Sequence, residues 1–266
     1  MPEAISTVFT NRVLKSFDSR NQVLAQESLR PNYDIRASHP DFADLRLGER
    51  RTTELASVFL DLRQFTSRSF WDAPEEAAEL ANAVLSGFTY VVETFGGYVI
   101  GLRGDGLLAT FGTGDNGEIS TFAAAAACAV SLNAVQTQLN PELERRGIQT
   151  VQVRAGADYG PAVFMRTGTA QSNEVNVVGF PTNFAAKCEK KALSWEVVVG
   201  EGFANELKDK SSLSKHTSPP TSYTREGETQ FYHAYDYAWR PLLKELDAGS
   251  ADELRQLYPE LTGGQR

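Results

Sequence analysis

The sequence predicts a mixed α/β fold built around a βαββαβ core of the ferredoxin-like or palm type, with further strands after it. Strand-like and helix-like segments alternate in that order between residues 55 and 160. An Asp-Gly pair between two strand-forming runs, YVIGLRGDGLLATF at 98–111, is typical of a hairpin. A chain of 266 residues, 41% of them hydrophobic, is long enough to bury one sizeable core with appendages, or two small ones.

The core begins with a strand, a helix and the hairpin. LASVFLDL at 55–62 is apolar enough for a strand buried on both faces. Residues 74–96 carry apolar side chains at helical spacing, with a proline at the start and Gly96-Gly97 at the end. The hairpin then joins YVIGLRG to GLLATFG at Gly104-Asp105-Gly106.

An alanine-rich helix over 119–147 and the alternating strand VQVRAGADYG at 151–160 complete the core. A helix from Pro181 to residue 193 follows, and the polar stretch 208–230 is predicted to be a mobile loop. We expect three regions: an N-terminal extension over 1–52, the main domain over 53–240, and a C-terminal tail over 241–266.

Composition excludes several classes of partner. A net charge of −8 and a pI near 5.1 argue against binding nucleic acid, which requires a basic surface. The longest apolar run, at 122–130, is shorter than the roughly 20 residues that cross a membrane. Two cysteines, Cys128 and Cys188, are too few for a disulfide scaffold. We expect a soluble, cytoplasmic protein without a membrane partner.

Two carboxylates are the first candidates for chemistry. Asp61 ends the first strand and Asp105 lies at the hairpin tip, and each alone has an ordinary explanation as a strand terminator or a turn residue. In a βαββ arrangement the first strand lies beside the hairpin, so the two side chains converge. Like charges repel unless cations bridge them, and oxygen ligands favour Mg²⁺ or Mn²⁺. A pair of such ions suits in-line displacement at phosphorus.

Three segments, VFLDLRQFT, GDG and VVGFPTNFAAKCE, resemble in order and spacing the signatures of class III nucleotidyl cyclases, over about residues 53–205. The resemblance implies that Asp61, Asp105 and the main chain at Leu62 bind two divalent cations. It implies that the loop through Phe65 and Thr66 cradles a nucleoside triphosphate. It also implies a homodimer with composite active sites, because the family's metal aspartates face the asparagine helix of the partner.

On that helix, the resemblance implies that Asn183 orients the ribose and that Lys187 stands where the family usually carries an arginine against the α-phosphate. A lysine neutralises phosphate as a point charge but lacks the bidentate fork of arginine. The alternative is that KCEKK, which includes Lys187, forms only a solvated charged face.

The base-reading positions of the family correspond to Gly101 and Asn176, so neither the lysine of adenylate cyclases nor the glutamate of guanylate cyclases is present at 101. By strand alternation Gly101, Arg103 and Asp105 share one face, which directs Arg103 toward the base. Its donors suit the carbonyl oxygens of a pyrimidine. The alternative for Arg103 is an exposed strand charge.

This pattern is similar to the pyrimidine cyclases of bacterial Pycsar anti-phage systems. That resemblance implies conversion of UTP to cyclic UMP, with CTP as the alternative, to signal to a separate cyclic-nucleotide-responsive effector. Other hypotheses are an adenylate or guanylate cyclase with an atypical base pocket and a degenerate cyclase domain that senses nucleotides. A diguanylate-cyclase-like domain predicts a Gly-Gly-Asp/Glu-Glu-Phe hairpin, which RGDGLL does not supply.

Overall fold

The computed structural model describes residues 1–18, 39–112, 114 and 116–248. Within these ranges the helices are α1 (Pro2–Asp18), α2 (Phe65–Trp71), α3 (Pro74–Thr94), α4 (Gly117–Ala134), α5 (Asn140–Arg145), α6 (Phe180–Lys191), α7 (Glu201–Glu206) and α8 (Arg240–Ala248), with one π-helical turn (Val135–Leu139) joining α4 to α5 and a 3₁₀ turn at Pro40–Phe42. The strands are β1 (Arg50–Arg63), β2 (Tyr98–Arg103), β3 (Gly106–Phe111), β4 (Gln152–Gly168), β5 (Asn173–Gly179), β6 (Val197–Gly200), β7 (Leu213–Lys215), β8 (Thr221–Arg225), β9 (Glu228–Tyr232) and β10 (Ala234–Tyr237).

One large sheet organises the described part of the chain. Its strands run in the order β2-β3-β1-β4-β6-β10-β7, and β5 adds to β4, while β8 and β9 form a separate hairpin. β1 is an inner strand, antiparallel to both β3 and β4, and β4 runs parallel to β6. The predicted βαββαβ order is therefore confirmed, with β1, α3, β2, β3, α4 and β4 as its elements.

The two faces of β1 bury different helices. Val58, Leu60 and Leu62 belong to the main apolar core, which α1, α3 and α4 complete on one face of the sheet. Ser57, one residue out of phase with them, points to the opposite face, where its hydroxyl lies 2.8 Å from that of Thr182 on α6. Asp61 has the same parity as Ser57, so it also faces α6.

Helix α1 lies within the predicted N-terminal extension, yet it packs into the main core. Its Ile5, Phe9 and Val13 are buried, and the Phe9 ring lies 5.9 Å from that of Phe88 on α3. The close approach depends on Gly87, where a Cβ would lie 2.5 Å from the Phe9 ring. The division of the chain at residues 52 and 240 stays a prediction.

The predicted loop over 208–230 is wrong, because these residues include β7, β8 and most of β9. Nearly every residue of β8 and β9 is exposed, so the hairpin shows no apolar alternation that sequence reasoning could detect. The start of the predicted tail, residues 241–248, is likewise helical, with Leu242 and Leu246 buried in the main core.

Among the described residues, one helical stretch, Gly117–Arg145, is long and apolar enough by length and composition to cross a membrane. Of its most apolar window, 78% is buried inside the protein. The alanines of this stretch let α4 pack closely against β1 and the neighbouring helices, which is the environment of a core helix.

Candidate active site

The two predicted carboxylates lie at the same end of adjacent strands. Asp61 of β1 pairs with Gly106 of β3, and the Leu62 N–H donates a 3.0 Å hydrogen bond to the carbonyl oxygen of Asp105. Gly104, at φ +61°, supplies the left-handed conformation that the tight turn needs. The hairpin geometry thus fixes the main chain of Asp105 directly beside the end of β1.

Asp61 is also joined across β1 and β4 to an arginine. Arg154 is its cross-strand partner, and Nε and Nη2 of Arg154 donate to Oδ2 of Asp61 at 2.9 and 2.8 Å. The same guanidinium forms an ion pair with Glu189 of α6. All three side chains are largely buried, so this arrangement links β1, β4 and α6 at the strand end.

Like charges perturb the carboxyl groups at this edge. Burial, and then the negative charge of Asp61, raise the pKa of Glu189 to about 7, against the opposing charge of Arg154. Burial and the charge of Asp61 also raise the pKa of Asp105. Arg154 pairs with two of these carboxyl groups, Asp61 and Glu189, and Asp105 adds a third negative charge nearby, so the excess of negative charge favours the binding of a cation.

Helix α6 lies over this edge because β4 carries a glycine beneath it. A Cβ at Gly156 would lie 2.0 Å from the backbone nitrogen of Glu189 and 2.4 Å from the carbonyl oxygen of Ala185. Only glycine permits so close a contact between helix and strand. The approach brings Glu189 against Arg154 and sets the position of Asn183 on the same helix.

A cleft of about 1050 Å³ opens beside the strand end. It brings together four of the predicted site residues, Asp61, Gly101, Asn176 and Asn183, together with Glu189. Asp105 borders the cleft through its neighbour Gly106. The cleft is large enough for a nucleotide, since ligand pockets typically enclose about 300–1,000 Å³.

The other predicted residues do not line the cleft. Leu62 and Phe65 line a separate depression of about 180 Å³ beside α2, and Thr66 is exposed in the first turn of that helix. Lys187 is exposed on α6, where its ammonium donates a 2.9 Å hydrogen bond to the hydroxyl of Tyr223 on β8.

For Arg103, the structure describes the main chain, which pairs with Gly106, and the side chain lies outside the described residues. The prediction that Arg103 enters the base pocket therefore stays a prediction. The argument that Gly101, Arg103 and Asp105 share one strand face is wrong for Asp105. That residue lies in the turn after β2 ends, where strand alternation no longer sets the side-chain direction.

The donor set at the strand end fits divalent cations. Asp61 and Asp105 offer carboxylate oxygens and Leu62 offers a carbonyl, which are the ligands that Mg²⁺ and Mn²⁺ prefer. Within the described residues, no group of three or more His, Cys, Asp or Glu side chains is arranged to hold a metal ion. Two carboxylates, completed by substrate phosphates and water, are the usual protein contribution to a magnesium site in phosphoryl-transfer enzymes.

Sequence reasoning missed Arg154 and Glu189. Arg154 stands at an ordinary position of the alternating strand VQVRAGADYG, and its pairing with Asp61 depends on a register between strands that are 93 residues apart in sequence. Glu189 lies inside the run KCEKK, which has the composition of a solvated face, yet it is only 8% exposed. A buried acidic residue among lysines has no sequence signal of its own.

The sequence model of the adenylate and guanylate cyclase catalytic domain matches residues 48–232 of the chain. Two curated Escherichia coli proteins named cytidylate cyclase are 28% and 24% identical to it, over 66% and 64% of this chain and 42% and 39% of their own lengths. A cytidylate cyclase of Staphylococcus aureus is 25% identical, over 62% of this chain and 40% of its own. The chain thus spans about two-fifths of the length of these relatives.

Solved structures of cyclase domains share the fold. The adenylyl cyclase CyaB from P. aeruginosa superimposes with a TM-score of 0.61 at 19% identity, covering 71% of this chain and 95% of that one. The guanylyl cyclase Cya2 gives 0.60 at 22% identity, over 73% and 94%. A dimeric guanylyl cyclase domain of the RhoGC fusion protein from Blastocladiella emersonii gives 0.51 at 15% identity, over 71% and 97%.

Proposed function

The chain belongs to the adenylate and guanylate cyclase catalytic-domain family, and on that premise we propose that it converts a pyrimidine nucleoside triphosphate to the 3′,5′-cyclic nucleotide and pyrophosphate. The observation that carries the proposal is the placement of Asp61 and Asp105 at one strand end beside the large cleft, with Asp61 paired to Gly106 and the Leu62 N–H bonded to the Asp105 carbonyl. Degenerate domains that only sense nucleotides tend to lose a metal aspartate, and this chain retains both.

In this proposal Asp61, Asp105 and the Leu62 carbonyl hold two divalent cations. Such ions, when bound, lower the pKa of the ribose 3′-hydroxyl and stabilise the leaving pyrophosphate. Asn183, contributed by a second copy of the chain, orients the ribose for in-line attack of its 3′-oxygen on the α-phosphorus. Lys187 neutralises the charge that develops on the α-phosphate oxygens, while Phe65 and Thr66 lie in the segment that holds the triphosphate.

The choice of base rests on Gly101, Arg103 and Asn176. Gly101 offers no side chain for reading a purine, whereas Asn176 lines the cleft with an amide that both donates and accepts. The donors of Arg103 suit the two carbonyls of uracil, which favours UTP and cyclic UMP. The names of three relatives favour CTP and cyclic CMP as the second candidate. A purine cyclase with an atypical pocket is the less favoured alternative.

We also propose that the active form is a homodimer with composite sites. Asn183 and Lys187 are exposed on α6, where residues of a second copy can approach them. The large apolar side chains of Leu102 and Val178 line the cleft and are about half exposed, as expected of a face that a second copy covers. A cytoplasmic location, a role in Pycsar anti-phage defence and a separate effector that responds to the product belong to the proposal through the family resemblance.

Incubation with each of the four ribonucleoside triphosphates, in Mg²⁺ or Mn²⁺, tests the proposal when the products are identified by mass spectrometry. We expect one cyclic pyrimidine nucleotide and stoichiometric pyrophosphate, with UTP and CTP compared at equal concentration. Cyclic AMP or cyclic GMP as the main product would refute the pyrimidine assignment. No cyclic product from any triphosphate, in the presence of nucleotide binding, would favour a nucleotide sensor.

A further inference from the structure

The exposed hairpin formed by β8 and β9 touches the cyclase helix α6 at one of its proposed functional residues. The Lys187 ammonium donates to the Tyr223 hydroxyl at 2.9 Å and lies 4.9 Å from the centroid of the Tyr223 ring. One turn further along α6, Lys191 donates to the hydroxyl of Ser218 in the segment that leads into β8. The hairpin and the segment before it therefore contact two lysines, Lys187 and Lys191, which lie one turn apart on the helix.

Aromatic packing fixes the hairpin relative to α6. The Tyr223 ring lies edge-on to Phe180, with 5.3 Å between centroids, and Tyr232 packs edge-on against both Phe180 and Phe184 at 4.7 and 4.6 Å. The Tyr232 hydroxyl in turn donates to the buried carboxyl of Asp158 at 3.1 Å. Tyr223 is itself 36% exposed, and its contact with Phe180 sets the position of its ring against α6.

A lysine at position 187 needs such support more than an arginine would. The planar guanidinium of arginine presents a rigid fork of donors, so arginine loses less side-chain entropy per hydrogen bond than an ammonium on a flexible four-carbon stem. The Lys187 ammonium donates a hydrogen bond to Tyr223 and makes a cation–π contact with its ring, and together these contacts restrict the stem before substrate binds.

We propose that Tyr223 is a positioning residue, which holds the Lys187 ammonium ready for the α-phosphate. The inference rests on the proposed cyclase function and adds a residue to it. Tyr223 accepts one of the three ammonium hydrogens and leaves the other two for phosphate oxygens. The ring, 4.9 Å from the ammonium, gives Lys187 a second contact with the same residue. The substitution of lysine for the family's arginine is thereby compensated by a tyrosine from a separate hairpin.

The test is a double-mutant cycle in the full chain. Tyr223→Phe removes the hydroxyl and keeps the ring, and we expect kcat to fall about five-fold with KM changed less than about two-fold, since the contact acts in the transition state. In a Lys187→Ala background the same substitution is expected to change kcat by less than about 1.5-fold, because the group that it positions is gone. Tyr90→Phe on α3 is the matched control, and it leaves kcat unchanged.

A second measurement tests the contact between Lys187 and Tyr223 through the chemical reactivity of the ammonium, without enzyme turnover. Acetylation of Lys187 by an N-hydroxysuccinimide ester, followed residue by residue by mass spectrometry, is expected to be faster in Tyr223→Phe than in the parent or in Tyr90→Phe. An unchanged labelling rate overturns the contact itself.

The kinetic outcomes distinguish the role of Tyr223 from the role of Lys187. Equal losses from Tyr223→Phe in both backgrounds, or no loss in either, overturn the role of Tyr223 while cyclase activity stands. Full activity in Lys187→Ala, or no cyclic product from the parent, overturns the role of Lys187 in the proposed function and, with it, the inference about Tyr223.

Discussion

Gly156→Ala tests the contact that places α6 over the strand end. The added Cβ would lie 2.0 Å from the Glu189 nitrogen and 2.4 Å from the Ala185 carbonyl oxygen, whereas Cβ contacts shorter than 3.0 Å are essentially never seen. Both atoms belong to the helix backbone, so neither moves aside by a side-chain rotation. The helix must therefore shift by roughly 1 Å to restore ordinary van der Waals distance.

Two effects follow from this shift. Overpacking of a tight core contact costs typically about 1–3 kcal/mol, and the upper end applies here because the backbone of β4 and of α6 are both involved. Asn183 moves with the helix, and a displacement of about 1 Å at a substrate-positioning group lowers turnover about 100-fold. Urea unfolding gives the first quantity, and the rate of cyclic nucleotide formation gives the second.

Gly114→Ala is the control, because within the described residues, its chain neighbours aside, no heavy atom lies within 4 Å of the Cβ that it would add. We expect it to change the free energy of unfolding by less than about 0.5 kcal/mol. If Gly156→Ala were equally mild in stability and in turnover, α6 would not be held against β4 as described, and the account of how Asn183 and Glu189 reach the site would be refuted.

Three further predictions concern the core and its buried charges. Phe9→Ala removes a fully buried ring from α1 and is expected to lower the free energy of unfolding by about 3–5 kcal/mol in urea titrations, showing that α1 belongs to the main core. Burial raises the pKa of Asp158 to about 7 from its usual 3.8, so its ionisation opposes folding and stability falls as pH rises across that window. We expect Asp158→Asn to reduce this loss of stability, measured as the difference between the urea midpoints at pH 5 and pH 8. A difference equal to that of the parent would contradict the prediction. Arg154→Met leaves Asp61 and Glu189 without their cation, so we expect lower stability without metal and a larger rise in melting temperature on adding Mg²⁺ than in the parent. An equal Mg²⁺ effect in both proteins would show that Arg154 does not balance these carboxylates.

Local sequence signals predicted much of the site. A short local segment predicts the strand end at Asp61, and another predicts the Gly104-Asp105-Gly106 turn. β1 and β3 pair in the register that brings the two together. The alternation argument was wrong at Asp105 because the turn begins one residue earlier than the strand pattern suggests. Here the local geometry of a glycine at positive φ overrides the period of the strand.

Contacts between residues far apart in the chain could not be predicted from the sequence. The bond between Arg154 and Asp61 depends on the β1–β4 register, and the contact between Lys187 and Tyr223 depends on where an exposed hairpin docks. Neither leaves a periodic pattern, because each involves one polar residue on an otherwise ordinary element. Burial of Glu189 depends in turn on the glycine at position 156 in another strand. Such contacts follow only from the assembled packing.

The central claim is that Asp61 and Asp105 together hold the cations of a nucleotide cyclase. Cyclic nucleotide formation by Asp61→Asn and Asp105→Asn, measured in saturating Mn²⁺ with the preferred triphosphate, tests it most directly. Asp44→Asn, at an exposed aspartate that pairs with Arg51, is the control and keeps the parental rate. The account predicts a loss of about 1,000-fold or more for each site variant, while both stay folded. Turnover within ten-fold of the parent in either variant would contradict it.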